Sequence, residues 1–399
     1  MKVLMGTESL RPPLTGIGNY TLNLLREFQE LSDVEVVDCF DGNRFVPAVD
    51  VLTGVDRHMV ASSYDRAGGH WREQLRKTVR AMPLAYSLKS AWSNVRFKQG
   101  SPGRKDFVYH EPNFILKSHD GPSVTTVHDL SFVQHPEFHP AERVAWLSRQ
   151  LPRTLDRADF VITDSEVVRT ELIEQFGVPR DKVRAIYLGA DARFMPRSVE
   201  TTKAVLARYG LVHGSYLAFV GTIEPRKGIS VLLDAWERLT PAIRRAWPLV
   251  IAGAPGWRNA ELMGRIEALR AKGEVKYLQF VSAQDLPFIY SGAATFIYPS
   301  VYEGFGLPVL EAMASGVPVI CGARTSMAEF ADGACKLFAV EDADELALAI
   351  LELVDDTRQR ACIARSGIVQ ALKLSWARTA RETLNVYMET LGVNNGSVG

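Results

Sequence analysis

Short apolar segments alternate with segments of helical periodicity along nearly the whole of this sequence. In the first half, the apolar segments have the character of buried strands, and they cover residues 2–5, 107–110, 124–127, 160–163 and 183–187. The alternation resumes at residues 216–220, 249–252, 275–280 and 294–298. Strands and helices that alternate in this way are typical of sheets covered by helices on both faces. The pattern therefore predicts an α/β chain of the doubly wound type.

The length of the chain decides how many sheets to expect. It has 399 residues, 47% of them hydrophobic, whereas single cores usually stop growing at about 250 to 300 residues. We therefore expect two domains, each built on its own β/α sheet.

The most informative segment is Glu-Gly-Phe-Gly-Leu-Pro-Val-Leu-Glu, from Glu303 to Glu311. Gly304 and Gly306 let the backbone approach a ligand closely, and Pro308 suits the first turn of a helix. Free backbone amides at a helix start favour an anion such as phosphate, while the two acids can accept hydrogen bonds from sugar hydroxyls. Either acid alone also fits a structural role at a strand end or in a first helical turn. The whole pattern predicts a loop that holds a diphosphate and the two sugars that it joins.

This pattern resembles the two-glutamate motif of the retaining GT-B glycosyltransferases of family 4, and the resemblance extends over nearly the whole chain. That family moves a sugar from a nucleotide diphosphate to an acceptor. The resemblance implies a GT-B fold, with two Rossmann-like domains facing a central cleft. It implies an acceptor-binding domain over residues 1–196 and a donor-binding domain over residues 197–375. A last helix, at about residues 376–392, is implied to cross back onto the first domain.

Two features of the first domain are candidate site elements. Gly16 and Gly18 precede a predicted helix, but Thr21 stands where a dinucleotide fingerprint has its third glycine, so a plain tight turn fits as well. The resemblance implies that this loop faces the donor phosphates. His128 follows the strand 124–127, and a lone histidine is often structural. Its context, Val-His-Asp-Leu, resembles the active-site histidine of the family and implies contact with a sugar hydroxyl near the reacting carbon.

In the second domain, Arg226 and Lys227 lie in the loop after the strand 216–220. An adjacent Arg-Lys pair is usually solvated, but this one resembles the Arg-Lys-Gly motif by which the family binds donor phosphate. The chain departs from the family at Thr222, where many members have an arginine. We expect Arg226 to supply that second positive charge.

These resemblances imply a division of roles. Arg226, Lys227 and the amides of residues 304–307 would stabilise the negative charge on the leaving diphosphate. Glu303 would orient the transferred sugar and Glu311 the nucleotide ribose. The expected catalytic residues are His128, Arg226, Lys227 and Glu303. The expected donor-binding residues are Gly16, Gly18, Thr222, Gly304, Phe305, Gly306, Leu307 and Glu311.

We expect neither a cofactor nor a metal, since cations and helix amides already face the diphosphate. The histidines concentrated at 110–139 do not form a helical metal-binding face, because Pro136 separates His135 from His139. Asp342 and Asp344 have the spacing of a metal motif from another glycosyltransferase class, but they precede an apolar helix and are expected to cap it.

The charge of the chain is balanced overall and concentrated locally. Lys plus Arg and Asp plus Glu both number 46, which predicts no general attraction to nucleic acid. Residues 66–105 hold ten basic side chains and the single acid Glu73, and their apolar residues have helical spacing. Two amphipathic helices fit, one through Trp71 and Met82 and one through Leu88 and Trp92. The segment is either a solvated basic face or a docking surface for an anionic membrane or a lipid diphosphate acceptor.

Three features predict a cytoplasmic protein: four scattered cysteines, the lack of an apolar stretch of about 18 residues and a brief apolar start. If residues 66–105 dock on the membrane, the protein would lie at its cytoplasmic face.

The most similar family members transfer mannose or rhamnose in bacterial surface polysaccharide assembly, which suggests a GDP-linked donor and a glycan or polyprenyl-diphosphate-linked acceptor. The alternatives are a UDP- or ADP-glucose-using synthase, an epimerase of the same fold, and a nucleotide-sugar-binding regulator without turnover. The base, the sugar, the acceptor, the linkage and the oligomeric state stay open at this stage.

Overall fold

The computed structural model describes residues 1–11, 14–61, 85–256 and 259–393. The chain divides into two compact units. The first comprises Met1–Tyr187 and Trp376–Gly399, and the second comprises Leu188–Ser375.

The first unit contains a seven-stranded sheet in the order β3-β2-β1-β4-β5-β6-β7. Its strands are β1 (Lys2–Gly6), β2 (Val36–Phe40), β3 (Phe45–Pro47), β4 (Val108–Glu111), β5 (Ser123–Val127), β6 (Phe160–Thr163) and β7 (Val183–Ala185). All neighbouring strands pair in parallel except β2 and β3, which are antiparallel. Its described α-helices are Gly16–Glu30, Ala48–Ala61, Ala85–Gly100, Ser131–Gln134, Ala141–Arg157, Glu166–Phe176 and Trp376–Thr390.

The second unit contains a six-stranded, wholly parallel sheet in the order β10-β9-β8-β11-β12-β13. Its strands are β8 (Leu217–Val220), β9 (Leu249–Ala252), β10 (Val275–Gln279), β11 (Thr295–Tyr298), β12 (Val319–Gly322) and β13 (Lys336–Phe338). Its described α-helices are Val199–Arg208, Ile229–Arg238, Pro241–Ala246, Ala260–Ala271, Leu286–Ser291, Leu307–Ala314, Ala328–Ala331, Ala343–Asp355 and Thr357–Ala371. The predicted α/β class with two sheets is confirmed.

Local sequence explains where several of these elements start and stop. The side chain of Ser165 accepts a hydrogen bond from the N–H of Val168 and so caps the helix Glu166–Phe176, which ends at Gly177 with a φ of 65°. The central strands are buried on both faces, as expected of a parallel sheet between helix layers.

The passage between the units falls after Tyr187, earlier than the boundary at Pro196 expected from the sequence. Residues 188–196 belong to the second unit because they make their contacts there. The ring of Phe194, for example, packs edge-on against Tyr290 with centroids 5.4 Å apart.

The last helix, Trp376–Thr390, belongs to the first unit. The ring of Tyr387 packs on Phe28 of the helix Gly16–Glu30, with centroids 5.7 Å apart. Its hydroxyl lies 2.6 Å from Nδ1 of His110, whose Nε2 lies 2.7 Å from the hydroxyl of Thr126. Burial lowers the pKa of His110 to about 3, so the buried ring is neutral and joins the helix to β4 and β5.

The basic segment 66–105 departs from expectation in its described part. The helix predicted through Trp71 and Met82 lies outside the described residues. In the helix Ala85–Gly100 the predicted apolar stripe is exposed, with Leu88 67%, Trp92 51% and Val95 55% accessible. The buried face carries Phe97, which packs against Tyr109 of β4 with centroids 4.7 Å apart. The aromatic core of the first unit, and not the apolar stripe, decides which side of this helix faces inward.

Candidate active site

The loop that leaves β11 carries Glu303 and leads into the helix Leu307–Ala314. Gly306 caps this helix with a φ of 103°, a left-handed conformation that favours glycine. A Cβ at Gly306 would also lie 2.4 Å from Cγ of Met327. The hydroxyl of Ser326 donates to the carbonyl of Glu303 at 2.7 Å. The loop is therefore held in one conformation by its glycine and by the residues after β12.

The loop also has backbone amides at the start of the helix Leu307–Ala314. Within the described residues, no hydrogen bond is made by the N–H of Gly304, Gly306 or Leu307. Three free N–H groups at a helix start form a favourable site for an anion. The Phe305 side chain has a packing role, because its ring stacks on Phe330 with centroids 4.6 Å apart.

Arg226 and Lys227 lie on a short 3₁₀ turn, Pro225–Lys227, after β8. The turn ends at Gly228, with a φ of 66°, where a Cβ would lie 1.9 Å from the carbonyl oxygen of Pro299. Only glycine allows the turn to pack so closely on the chain that leaves β11. Since β8 and β11 are neighbours in the sheet, the two loops meet at its carboxyl edge.

Glu303 is the centre of the charged cluster that results. Its Oε1 accepts hydrogen bonds from Nζ of Lys227 at 2.6 Å, from the hydroxyl of Ser300 at 2.6 Å and from the hydroxyl of Tyr298 at 3.0 Å. Its Oε2 makes one longer contact, 3.4 Å, with Nη1 of Arg226. Lys227 also donates to the hydroxyl of Tyr298 at 3.0 Å. One carboxylate thus joins both cations, and its Oε2 keeps most of its capacity to accept.

The cluster keeps its charges despite burial. Glu303 is 8% exposed, and burial opposes its ionisation, but Lys227 and Arg226 outweigh burial and lower the pKa of Glu303. Burial and the charge of Arg226 together lower the pKa of Lys227. Arg226 also pairs with Glu224 at 3.2 Å. Two cations therefore face two carboxylates, and the free cluster is electrically balanced.

Glu311, on the same helix as the free amides, does not join this cluster. Burial raises the pKa of Glu311 to about 7, and the Tyr290 hydroxyl and the charge of Arg193 offset this only in part. The two acids of the motif thus differ in charge state. Glu303 is firmly ionised, whereas Glu311 titrates near neutrality.

Thr222 is exposed. At the position where many family members have an arginine, this chain presents no charge, and the second cation that reaches Glu303 is Arg226.

In the first unit, Gly16 and Gly18 open the helix Gly16–Glu30, and Thr15 accepts a hydrogen bond from the N–H of Gly18. A Cβ at Gly18 would lie 2.9 Å from the carbonyl oxygen of Ser9, so this glycine is needed for packing. A Cβ at Gly16 would meet open space.

His128 leaves the carboxyl end of β5 and is 7% exposed. Its Nδ1 lies 2.8 Å from Oδ2 of Asp164, and its Nε2 lies 2.7 Å from the carbonyl oxygen of Pro112. Both ring nitrogens therefore contact protein acceptors. The structure brings together Arg226, Lys227, Glu303 and the loop amides in the second unit, while His128 and the two glycines lie in the first.

Sequence reasoning missed several residues that contact the candidate groups, among them Asp164, Glu224, Tyr298 and Ser300. Of these, Asp164 could have been found from the sequence. Asp164 follows β6 as His128 follows β5, and carboxyl ends of paired parallel strands meet at one edge of a sheet.

The groups considered for metal binding have other contacts. Asp342 caps the helix Ala343–Asp355 by accepting from the N–H groups of Asp344 and Glu345 at 3.0 and 2.9 Å. His139 Nε2 lies 2.9 Å from the Ser131 hydroxyl. Across the described residues, no three His, Cys, Asp or Glu side chains are grouped to hold a metal ion. None of the described helices is both long and apolar enough to span a bilayer.

The sequence of the chain matches two family models and several known proteins. Residues 14–194 match the family model Glycosyltransferase Family 4, and residues 212–368 match Glycosyl transferases group 1. The chain is 35% identical over 387 residues to O-antigen chain mannosyltransferase B of Escherichia coli, a match covering 97% of this chain and 99% of that one. It is 28% identical to D-inositol 3-phosphate glycosyltransferase of Salinispora tropica, over 96% of this chain and 84% of that one.

Among solved structures, Anabaena HepE in complex with UDP-glucose has a TM-score of 0.69 at 18% identity, covering 98% of this chain and 100% of that one. This likeness is one of fold, and it confirms the expected GT-B architecture. With the near-complete match to the Escherichia coli enzyme, it establishes that the chain belongs to the retaining GT-B glycosyltransferases of family 4.

Proposed function

We propose that this chain transfers a hexose of the mannose or rhamnose type from a GDP-linked donor to a glycan or lipid-linked glycan acceptor, with retention of configuration. The observation that carries the proposal is the Arg226–Lys227–Glu303 cluster beside the free amides of Gly304, Gly306 and Leu307. The full-length similarity to an enzyme named O-antigen chain mannosyltransferase B supports mannose. The GDP-linked donor and the acceptor class rest on that analogy.

In this proposal the second unit holds the donor. When the glycosidic bond breaks, the leaving diphosphate gains negative charge and the sugar gains oxocarbenium character. Preorganised cations and N–H groups act most strongly where charge develops in the transition state. Lys227, Arg226 and the amides of Gly304, Gly306 and Leu307 are the groups that meet this requirement.

Glu303 has two successive roles in this proposal. In the free protein it neutralises Lys227 and Arg226 and so keeps two buried cations paired. When a diphosphate binds, its oxygens take over these cations. Glu303 is then free to accept hydrogen bonds from the hydroxyls of the transferred sugar, most readily through Oε2. Glu311, further along the helix, accepts from the ribose.

The first unit is proposed to bind the acceptor on the cytoplasmic face of the membrane. The exposed stripe of Leu88, Trp92 and Val95 is accompanied by a basic side chain, since the guanidinium of Arg96 lies over the Trp92 ring, 5.2 Å from its centroid. An aromatic and aliphatic face with adjacent cations suits an anionic lipid surface. Such contact would bring a lipid-linked acceptor close to the protein.

The proposal is tested by supplying the purified chain with GDP-mannose, UDP-glucose or ADP-glucose, with and without a polyprenyl-diphosphate-linked glycan. We expect release of GDP that increases with acceptor, and a product whose anomeric configuration, measured by NMR, equals that of the donor. Turnover with UDP- or ADP-glucose alone would indicate a glucose-using synthase. Donor binding without nucleotide release under any condition would indicate a regulator.

A further inference from the structure

The two ring nitrogens of His128 face a backbone carbonyl and a carboxyl group, which both only accept hydrogen bonds when Asp164 is ionised. Asp164 offers a carboxylate oxygen to Nδ1 at 2.8 Å, and Pro112 offers a carbonyl oxygen to Nε2 at 2.7 Å. A neutral imidazole has one N–H, so one of these contacts would set a nitrogen lone pair against an oxygen lone pair. As long as Asp164 is ionised, only the imidazolium, with an N–H on each nitrogen, satisfies both contacts.

The surroundings of His128 supply the matching charge. Burial opposes the charged ring, but the carboxylate of Asp164 and its hydrogen bond outweigh burial and raise the pKa of His128, with a smaller contribution from Asp129. The Tyr20 ring packs edge-on at 4.9 Å, and burial raises the pKa of its hydroxyl, so it stays neutral. His110, the other histidine nearby, is neutral. Burial also raises the pKa of Asp164, while the charge of His128 and the hydrogen bond between them act to lower it. Asp164 is the acid in direct contact with the ring.

The buried carboxylate of Asp164 lowers the stability of the fold. It is 3% exposed, and within the described residues its Oδ1 is buried without a hydrogen-bond partner. A buried carboxylate oxygen without a donor destabilises a fold, and such groups concentrate at functional sites. This second observation indicates that Asp164 serves His128 and not the packing of β6.

We propose that Asp164 is a positioning residue that keeps His128 doubly protonated, so that His128 acts as a cationic hydrogen-bond donor to substrate and not as a base. The Nε2–H can exchange the Pro112 carbonyl for a substrate hydroxyl. The assignment of the ligand rests on the proposed function, whereas the charge state of His128 is argued from its contacts alone.

The matched variants are Asp164→Asn and Asp159→Asn. In Asp164→Asn, the new amide can donate to Nδ1 of a neutral ring whose Nε2–H still reaches Pro112, so the fold is retained without the charge. Asp159, just before β6, accepts from the backbone N–H of Ser123 at 2.7 Å and receives the same substitution as a control.

The first measurement is a pH titration of isotope-labelled histidine by NMR in the full chain. We expect His128 to titrate above 6.5 with both nitrogens protonated at neutral pH, and to titrate lower in Asp164→Asn but not in Asp159→Asn. A neutral His128 ring in the parent protein at pH 6 would overturn the proposal, whatever the variants do.

The second measurement is steady-state kinetics. Asp164→Asn should lower turnover by about tenfold to a hundredfold, by analogy with the loss of a carboxylate that orients a metal-binding histidine. The Michaelis constant for the donor should change little, and the remaining activity should fall at a lower pH than in the parent. Equal turnover in parent and variant would overturn the proposal. If the parent transfers no sugar from any donor, the proposed function fails, and the NMR titration still decides the charge state.

Discussion

The charged cluster of the second unit and the His128 pair of the first are both buried at the carboxyl edge of a parallel sheet, but their carboxylates do opposite things. Arg226 and Lys227 carry charge on their own, and Glu303 neutralises them. A histidine ordinarily has a pKa near 6.5, and at His128 the adjacent carboxylate of Asp164 raises the pKa. Removing the acid should release positive charge in the first case and abolish it in the second. A buried carboxylate thus neutralises positive charge in one unit and favours it in the other.

The largest effect is expected at Lys227, whose charge should act mainly in the transition state. Lys227→Ala should lower turnover by on the order of 10² to 10³, as for loss of one preorganised donor to a developing oxyanion. Lys227→Arg should recover only part, because a planar guanidinium does not replace a compact ammonium. Kinetics at saturating donor distinguish the alternatives. A raised Michaelis constant with unchanged turnover would make Lys227 a ground-state phosphate clamp.

The next largest effect on turnover is expected at the two acids of the motif, Glu303 and Glu311. Glu303→Gln should reduce turnover more than Glu311→Gln, because Glu303 is proposed to bind the transferred sugar and Glu311 the ribose. Turnover and donor affinity measured side by side give the order. A larger loss of turnover in Glu311→Gln, with little change in donor affinity, would reverse the two roles.

A smaller effect concerns stability and pH. The pKa of Glu311 rises on folding from 4.5 to about 7, so its contribution to stability is complete below pH 4.5 and is lost as the pH rises through 7. The difference in melting temperature between Glu311→Gln and the parent should therefore be larger at pH 8 than at pH 5.5. We expect the increase to be about 2 to 4 °C, the shift that corresponds to roughly 1 kcal/mol. Parallel melting profiles across this range would show that folding does not raise the pKa of Glu311.

The weakest effect concerns the helix Ala85–Gly100. Chain binding to anionic vesicles at low salt should be reversed by added salt, each well-placed cation contributing about 1 kcal/mol. Trp92→Ser and Arg96→Gln should each weaken it, while Arg270→Gln, an exposed arginine of the second unit, serves as the control. If flotation with the vesicles is equal for all variants, or absent at low salt, the helix Ala85–Gly100 is a solvated surface and does not bind the membrane.

The predictable part of the site was local in sequence. Glu303–Glu311 and Arg226–Gly228 are contiguous, and their glycines indicate the turns that the structure contains. The partners were not local. Asp164 reaches His128 across 36 residues only because β5 and β6 pair in register. Sequence periodicity also predicted the apolar stripe of the helix Ala85–Gly100 without its orientation, because burial of Phe97 depends on aromatic rings from other strands.

The central claim is that Glu303 holds the place of the donor diphosphate, and binding of GDP alone tests it most directly. Titration calorimetry should show Glu303→Gln binding GDP about three- to tenfold more tightly than the parent, near 1 kcal/mol, because two cations lose their internal counterion. The same variant should turn over more slowly, and Lys227→Ala should bind GDP more weakly. If Glu303→Gln binds GDP as weakly as Lys227→Ala does, Glu303 supports the cations instead of occupying the phosphate position, and the account is contradicted.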